Sequence, residues 1–297
     1  MRKKDVILPT LAVFAGLIGL GLRQWELATA FEPDTGLAIA GTPSTWAVIG
    51  FTVVLAVVLA LLSRGKYNEL NSYDQAFCAK GNTVYMLLMV LAAFLMFASC
   101  AVGLFALPNA FAEAEAQQIA HGGPSPAFSV FPRALLAILA AASGYGIIKV
   151  ARNNYRGEGQ GKFSAYLLMP AYTACLWLVV AYQARSGDPV ILDYVWELFS
   201  IMAVVLGSYF MSGFSFERGK VQRTVFALAG GVYLVLLTLG DGHNFSNLLL
   251  YAGYLLYLLS SVTILLFNAN RPMLERMPEE RPEFHIEDLI REDDTNE

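Results

Sequence analysis

Eight long apolar segments alternate along this chain with short polar gaps. A helix needs ~20 mostly apolar residues to cross ~30 Å of hydrocarbon, because each residue rises ~1.5 Å and lipid offers no partner to an unpaired backbone group. We therefore predict an all-α integral membrane protein, a bundle of eight transmembrane helices. The segments run approximately over residues 6–22, 46–62, 84–107, 131–150, 164–182, 190–214, 224–239 and 248–267.

Composition agrees with lipid as the main solvent of the chain. Apolar residues make up 56% of the sequence and charged residues 15%, and the mean hydropathy is +0.52. The net charge of −4 says little about partners, since the acids gather at the carboxyl terminus and the bases in short gaps. No basic stripe is interleaved with aromatic residues, so nucleic acid is not an expected partner.

The distribution of basic residues predicts the orientation of the bundle. All but three of the 20 Lys and Arg residues lie before the first segment, in alternate gaps or in the tail. Basic loops are retained in the cytoplasm during insertion, so both termini are predicted to be cytoplasmic. Arg23, Arg133 and Arg185 are left for the opposite face. We divide the chain into a polytopic transmembrane helical bundle, 1–269, and an acidic cytoplasmic tail, 270–297, predicted to be disordered.

Two segments have alternative interpretations. The basic start, the first apolar segment and the sequence Ala28-Thr29-Ala30 also resemble a secretory signal with its cleavage site, which would leave seven spans. The stretch 108–118, PNAFAEAEAQQ, fits either a solvated connector or a short interfacial helix with a proline in its first turn.

The predicted spans contain almost no ionisable residue at depth, which argues against several kinds of chemistry. A charge at mid-membrane costs at least ~2.5 kcal/mol on insertion scales and usually marks an ion path or a relay. The chain has no HExxH motif, no GxSxG motif and no lysine deep in a span. The three cysteines lack metal-ligand spacing. We therefore predict no catalytic residues, no resident metal and no cofactor.

The best candidate for a binding site lies at the outer ends of the sixth and seventh spans. Asp193 and Glu197 are four residues apart, so both carboxylates share one helical face. The turn that follows the seventh span contains Asp241 and His243. If the two spans are neighbours, three carboxylates and an imidazole meet there, which suits ligand or ion binding or a response to pH. The alternative is a row of solvated acids in an interfacial aromatic belt.

A second group of residues is a candidate cavity lining without charge. Hydroxyl-bearing side chains follow three-residue spacing in the eighth span, and the fifth span contains a proline, which frees a carbonyl and bends a helix. The alternative is that these hydroxyls bond between helices and hold the bundle together. The candidate lining consists of Tyr166, Pro170, Tyr172, Tyr251, Tyr254 and Tyr257.

The region from Tyr194 into the seventh span, YVWELFSIMAVVLGSYFMSGFSFERGKVQRTVFALAGGVYL, resembles uncharacterised multi-pass membrane proteins of clostridial-type bacteria. The resemblance covers about a quarter of the chain. It implies a location in a bacterial cytoplasmic membrane, with the lipid bilayer as partner, and it supplies no catalytic residues.

The leading functional hypothesis is a protein that binds or translocates a small molecule, as a permease-like protein or a membrane subunit of a complex. The alternative is a membrane sensor or scaffold that signals to a cytoplasmic protein partner through its acidic tail. A third hypothesis is an intramembrane lipid-modifying enzyme. Transport predicts a polar cavity that reaches the midplane between helices. Sensing predicts a closed bundle with a tail that is ordered by its partner, and lipid chemistry predicts that the outer acids meet beside a lateral opening.

Overall fold

The computed structural model describes residues 3–32, 34–65, 67, 70, 72–122, 124–157, 164–185, 187, 190–216 and 218–270. Nearly all of these residues are helical, and within these ranges strand pairing is limited to one bridge between Phe31 and Ala38. The helices are α1 (Lys3–Thr29), α2 (Pro43–Ser63), α3 (Tyr73–Ala76), α4 (Thr83–His121), α5 (Pro126–Arg156), α6 (Ser164–Arg185), α7 (Ile191–Ser212), α8 (Val221–Thr238) and α9 (Phe245–Ala269), with a 3-10 turn over Gly213–Phe216.

Eight of these helices, all except the four-residue α3, are long and apolar enough to cross a membrane. The structure therefore confirms an all-α, multi-pass membrane protein with eight candidate spans. The predicted acidic tail lies outside the described residues from residue 271 onwards.

Local sequence signals set the helix ends. Pro43 and Pro126 occupy first-turn positions of α2 and α5, where the missing N–H removes no helical hydrogen bond. Asn82 and Asn244 cap α4 and α9, because each side-chain oxygen accepts a hydrogen bond from a backbone N–H in the first turn. Gly157 ends α5 with a left-handed φ of 70°.

Six of the helices close a ring. Contacts join α4 to α5, α5 to α6, α6 to α7, α7 to α8, α8 to α9, and α9 back to α4. Helix α1 packs on the outside of this ring against α8, and α2 packs against α1 and α8. In the most apolar stretch of α8, 72% of residues are buried, against 17% in α2, so α8 is central and α2 is peripheral. We call the end with the α1–α2 loop the upper end of the bundle.

Small residues allow close approach between neighbouring helices. A Cβ added to Gly16 of α1 would lie 2.5 Å from Leu236 Cδ1 of α8. On α5, a Cβ added to Gly146 would lie 2.8 Å from the carbonyl oxygen of Tyr166. Pro170 cannot donate the helical hydrogen bond to that carbonyl, and the missing side chain at Gly146 lets α5 pack directly against this backbone group of α6.

Three helices, α1, α4 and α5, are much longer than the sequence predicted, and the extensions of α1 and α4 bear on the alternatives left open above. Helix α1 continues past residue 22 to Thr29, and its packing on α8, with Ala12 and Ala15 buried, agrees with eight spans rather than seven. Residues 108–118 are not a separate element, because α4 continues through Pro108 to His121. The extension of α1 matters for function, because it brings the charged residues Arg23 and Glu26 into the bundle.

Candidate functional site

Arg23 is the most deeply buried cation among the described residues, with a relative exposure of 0%. Its guanidinium donates to Asp241 Oδ1 at 2.8 Å and to Glu26 Oε2 at 2.8 Å. It also donates to the backbone carbonyls of Leu192 at 3.4 Å and Asp193 at 2.6 Å. One side chain of α1 thereby binds the first turn of α7 and the turn that follows α8.

The fold brings Arg23 to this position for local reasons. Arg23 and Glu26 are three residues apart, so both lie on one face of the last turns of α1. That face meets the end of α8, where the chain leaves the helix after Thr238 and turns back into α9. Gln24 secures the same turn by donating to the carbonyl oxygen of Gly240.

A second group of charges lies next to the first. Arg185, at the end of α6, contacts Asp193 Oδ2 at 3.2 Å through Nη1 and Glu197 Oε2 at 3.6 Å through Nε. Glu197 Oε1 lies 3.8 Å from His243 Nδ1. The Arg185 and Asp193 side chains are about one-third exposed, whereas Glu197 and His243 are almost fully buried.

We call these seven residues the upper cluster: Arg23, Glu26, Arg185, Asp193, Glu197, Asp241 and His243. The four residues predicted from sequence are thus brought together in space. Asp193 and Glu197 share a face of α7, and Asp241 and His243 reach them because α7 and α8 are neighbours. Arg23, Glu26 and Arg185 were not predicted as members of the site.

The tautomer of His243 follows from its hydrogen bond. Its Nε2 lies 2.7 Å from the carbonyl oxygen of Thr238, and a carbonyl can only accept, so Nε2 carries a hydrogen. In a neutral ring, Nδ1 is then a bare acceptor that faces a carboxylate oxygen of Glu197. Two acceptors repel each other, so this contact is unfavourable while Glu197 is ionised and His243 is neutral, and uptake of one proton by either group makes it favourable.

In the turn after α8, burial disfavours the charged forms of Asp241 and His243. Burial raises the pKa of Asp241 to about 6, although the guanidinium of Arg23 pulls that pKa downward. Burial lowers the pKa of His243, while the carboxylate of Glu197 acts in the opposite direction. Two arginines face four carboxylic acids in the upper cluster, so uptake of protons by this part of the protein relieves an excess of negative charge.

A cavity of about 560 Å³ opens beside the upper cluster. Its walls come from the upper halves of α4, α5, α6 and α9, and Glu197 of α7 completes them. Most of the wall is apolar and built from small residues such as Ala106, Ala140 and Ala181. Its ionisable lining residues are Arg133, Arg185, Glu197 and His243.

The wall also contains an unpaired hydrogen-bond donor. Trp177 lines the cavity, its side chain is fully buried, and Nε1 finds no acceptor within the part of the chain that the structure describes. Its ring stacks on Tyr254 at a centroid distance of 5.7 Å and meets Tyr251 edge-on at 4.4 Å. The aromatic rings of α6 and α9 thus fix the donor in place.

The predicted uncharged lining does not surround this cavity. Tyr251, Tyr254 and Tyr257 are buried in the core, where Tyr254 donates to the carbonyl oxygen of Pro170 at 2.8 Å. Tyr166 packs edge-on against a tyrosine of α5, and Tyr172 is 55% exposed on the outside of the bundle. None of the six candidates is among the residues that line the cavity.

Across the described ranges, no group of three or more His, Cys, Asp or Glu residues has an arrangement that holds a metal ion. Comparison with known proteins finds no matching family model, curated protein or solved structure. The fold and the site together define a multi-pass membrane protein with a buried ionic cluster beside a cavity.

Proposed function

We propose that this chain binds a small molecule in the cavity beside the upper cluster and acts as a permease-like protein or as the membrane subunit of a complex. The observation that carries the proposal is the cavity itself. Its volume of about 560 Å³ falls within the range usual for small-molecule sites, ~300–1,000 Å³. Its lining has the usual character of such sites, a mainly apolar wall with a few polar groups at one side.

The location of the cavity also supports this function. The cavity begins near the upper end of the bundle and reaches Trp177 between α4, α5, α6 and α9. With the predicted orientation, the upper end faces away from the cytoplasm, so the site would receive its ligand from outside. The sensor alternative depends on the tail beyond residue 270, which lies outside the described residues.

The lipid-enzyme hypothesis also predicts that the acids of the upper cluster meet. It differs in its ligand, which would be a lipid, and in its result, which would be a chemically altered lipid. A screen that contains both classes of compound therefore distinguishes the two functions.

The test is a thermal-shift screen of the detergent-purified protein against amino acids, organic acids, sugars, nucleosides and lipids. We expect at least one soluble compound to raise Tm, because a ligand that binds only the folded state stabilises it. Ala106→Trp fills the cavity at α4 and should abolish the shift. Ala101→Trp is the matched control, since Ala101 is an exposed residue of α4 outside the cavity lining.

The proposal fails if no soluble compound shifts Tm, or if every shift persists in Ala106→Trp. Mass spectrometry of the lipids after incubation provides the second measurement. A lipid that is modified by the wild-type protein would favour the enzyme hypothesis instead.

A further inference from the structure

The charges around the cavity indicate what kind of ligand it accepts, and this inference rests on the proposed function. Arg133 of α5 lines the cavity with an exposed side chain, and it forms no ion pair with any described residue. Arg185 lies on the neighbouring helix α6, where Asp193 and Glu197 hold its guanidinium. An uncompensated arginine at the edge of an apolar cavity favours an anionic group on the ligand.

The indole of Trp177 favours a ligand that carries a hydrogen-bond acceptor. An indole N–H can only donate a hydrogen bond, and a fully buried donor without an acceptor costs free energy. A carboxylate or carbonyl oxygen in the cavity would supply that acceptor. The rest of the wall has no further ionisable side chain, so it fits an apolar body and not a second charge. It combines Ala, Gly, Val, Leu and Phe residues with the neutral polar side chains of Ser99, Asn244, Ser246 and Asn247.

An anion in this cavity also acts on the pair formed by Glu197 and His243. Both side chains line the cavity and both are nearly buried. A bound negative charge close to them makes a second ionised carboxylate unfavourable and favours an imidazolium. Either way, the pair gains a proton from solvent when the anion binds.

We propose that the cavity binds a small organic monoanion, with its acidic group between Arg133 and Arg185 and its apolar body along the alanine-lined wall, together with one proton held between Glu197 and His243. The proton comes from water, and no bond of the ligand is broken. Binding would therefore be tighter at lower pH, and an outward-facing site of this kind would load anion and proton together.

Other charged and titratable groups surround Glu197 and His243 and contribute to the electrostatic potential at both side chains. These groups are Arg185 from α6, Asp193 on α7 itself, Asp241 in the turn after α8, Tyr251 from α9, Arg133 from α5 and Arg23 from α1. Asp241, whose pKa burial raises to about 6, can also take up a proton when an anion binds, so a comparison of variants is needed to assign the uptake to the pair.

The first measurement addresses the charge of the ligand. Purified wild-type protein is titrated by isothermal calorimetry with monocarboxylates from butyrate to phenylpropionate and with the primary amide of each. We expect at least one acid to bind at least tenfold more tightly than its amide. Arg133→Ala should remove this preference, whereas Arg152→Ala should keep it, because Arg152 is an exposed residue at the opposite end of α5.

The second measurement addresses the proton. Calorimetry at one pH in phosphate and in Tris, which differ in ionisation enthalpy, gives the number of protons taken up. We expect uptake approaching one proton per acid bound and none in Glu197→Gln, which keeps the shape of the side chain but cannot ionise. If Glu197→Gln does not fold, Asp241→Asn decides the point: proton uptake should persist in this variant, and its loss would assign the proton to Asp241 instead of the pair.

The outcomes separate the two proposals. If soluble compounds bind in the cavity but amides bind as well as acids, the monoanion is wrong while the binding function stands. If acids bind without proton uptake, the coupling to Glu197 and His243 is wrong. If nothing binds in the thermal-shift screen or in calorimetry, the proposed function itself fails.

Discussion

Replacing Arg23 by methionine would test whether the upper cluster holds three helix ends together. Methionine has a similar length but no charge, so Glu26 and Asp241 lose their ion-pair partner. The carbonyls of Leu192 and Asp193 lose a donor at the same time. Removing one partner of a buried ion pair costs about 3–5 kcal/mol, because the remaining charge stays buried without compensation. We expect Arg23→Met to lower the free energy of unfolding by that amount.

The assay is unfolding of the detergent-solubilised protein by added SDS, followed by tryptophan fluorescence. Arg152→Met is the control, since Arg152 is exposed, and it should change the unfolding free energy by less than about 0.5 kcal/mol. The double variant Arg23→Met/Asp241→Asn should regain about 1–3 kcal/mol, because it removes one of the two uncompensated charges. A loss below about 1 kcal/mol in Arg23→Met would refute a structural role for the cluster.

Two further predictions concern the same region and the α1–α8 contact. Burial raises the pKa of Asp241 from 3.8 to about 6. The stabilisation that follows is therefore fully present below about pH 4 and is lost as the pH rises through about 6. The loss in unfolding free energy amounts to at most about 3 kcal/mol. The unfolding free energy of the wild type minus that of Asp241→Asn should fall over this pH range. The lowered pKa of His243 has an effect of opposite sign, but this effect is present in both proteins and largely cancels in the difference. A difference that does not change with pH would contradict the raised pKa of Asp241. Gly16→Ala should lower the unfolding free energy by about 1–3 kcal/mol, because the new Cβ would lie 2.5 Å from a leucine of α8. Gly21→Ala is the control: a Cβ there has nothing within 4 Å, so the change should be neutral or stabilising. Equal effects of the two substitutions would show that α1 and α8 do not pack as closely as described.

Much of the architecture was predictable from sequence because lipid imposes a strong and simple pattern. Eight apolar segments of spanning length predict eight helices, and the structure confirms them. The meeting of Asp193 and Glu197 with Asp241 and His243 was also foreseen, since four-residue spacing sets the face of a helix and hairpin neighbours usually pack together.

The two fully buried members of the cluster, Arg23 and Glu26, were not predicted. The first apolar segment ends at Leu22, so Arg23 and Glu26 had the pattern of interfacial residues at the end of a span. Their burial is caused by α7 and the turn after α8, which come from the opposite end of the sequence. An arginine and a glutamate at three-residue spacing are nevertheless a signal for an ion pair, and an arginine at the edge of a span was the place to apply it.

The tyrosines of α9 also show that sequence spacing alone does not predict what a helix face contacts. Three-residue spacing places Tyr251, Tyr254 and Tyr257 close together on α9, but spacing alone does not say whether that face meets a cavity, lipid or another helix. The structure places these rings against α6 and the core of the bundle. Which face is buried depends on the neighbours of α9, and those neighbours are determined by the whole fold.

Helix α4 gives the molecule a feature that reaches beyond the bilayer. At ~1.5 Å per residue its 39 residues extend ~58 Å, while the hydrocarbon layer is ~30 Å thick. Ala110 is the last residue that α4 contributes to the cavity lining, and the helix continues past it to His121, with the acids Glu113 and Glu115, as a post at the upper end of the bundle. An antibody fragment that binds this post would be a fiducial for electron cryo-microscopy, because its epitope lies on a continuous helix at one end of the molecule. The same fragment would block the entrance of the cavity by steric hindrance.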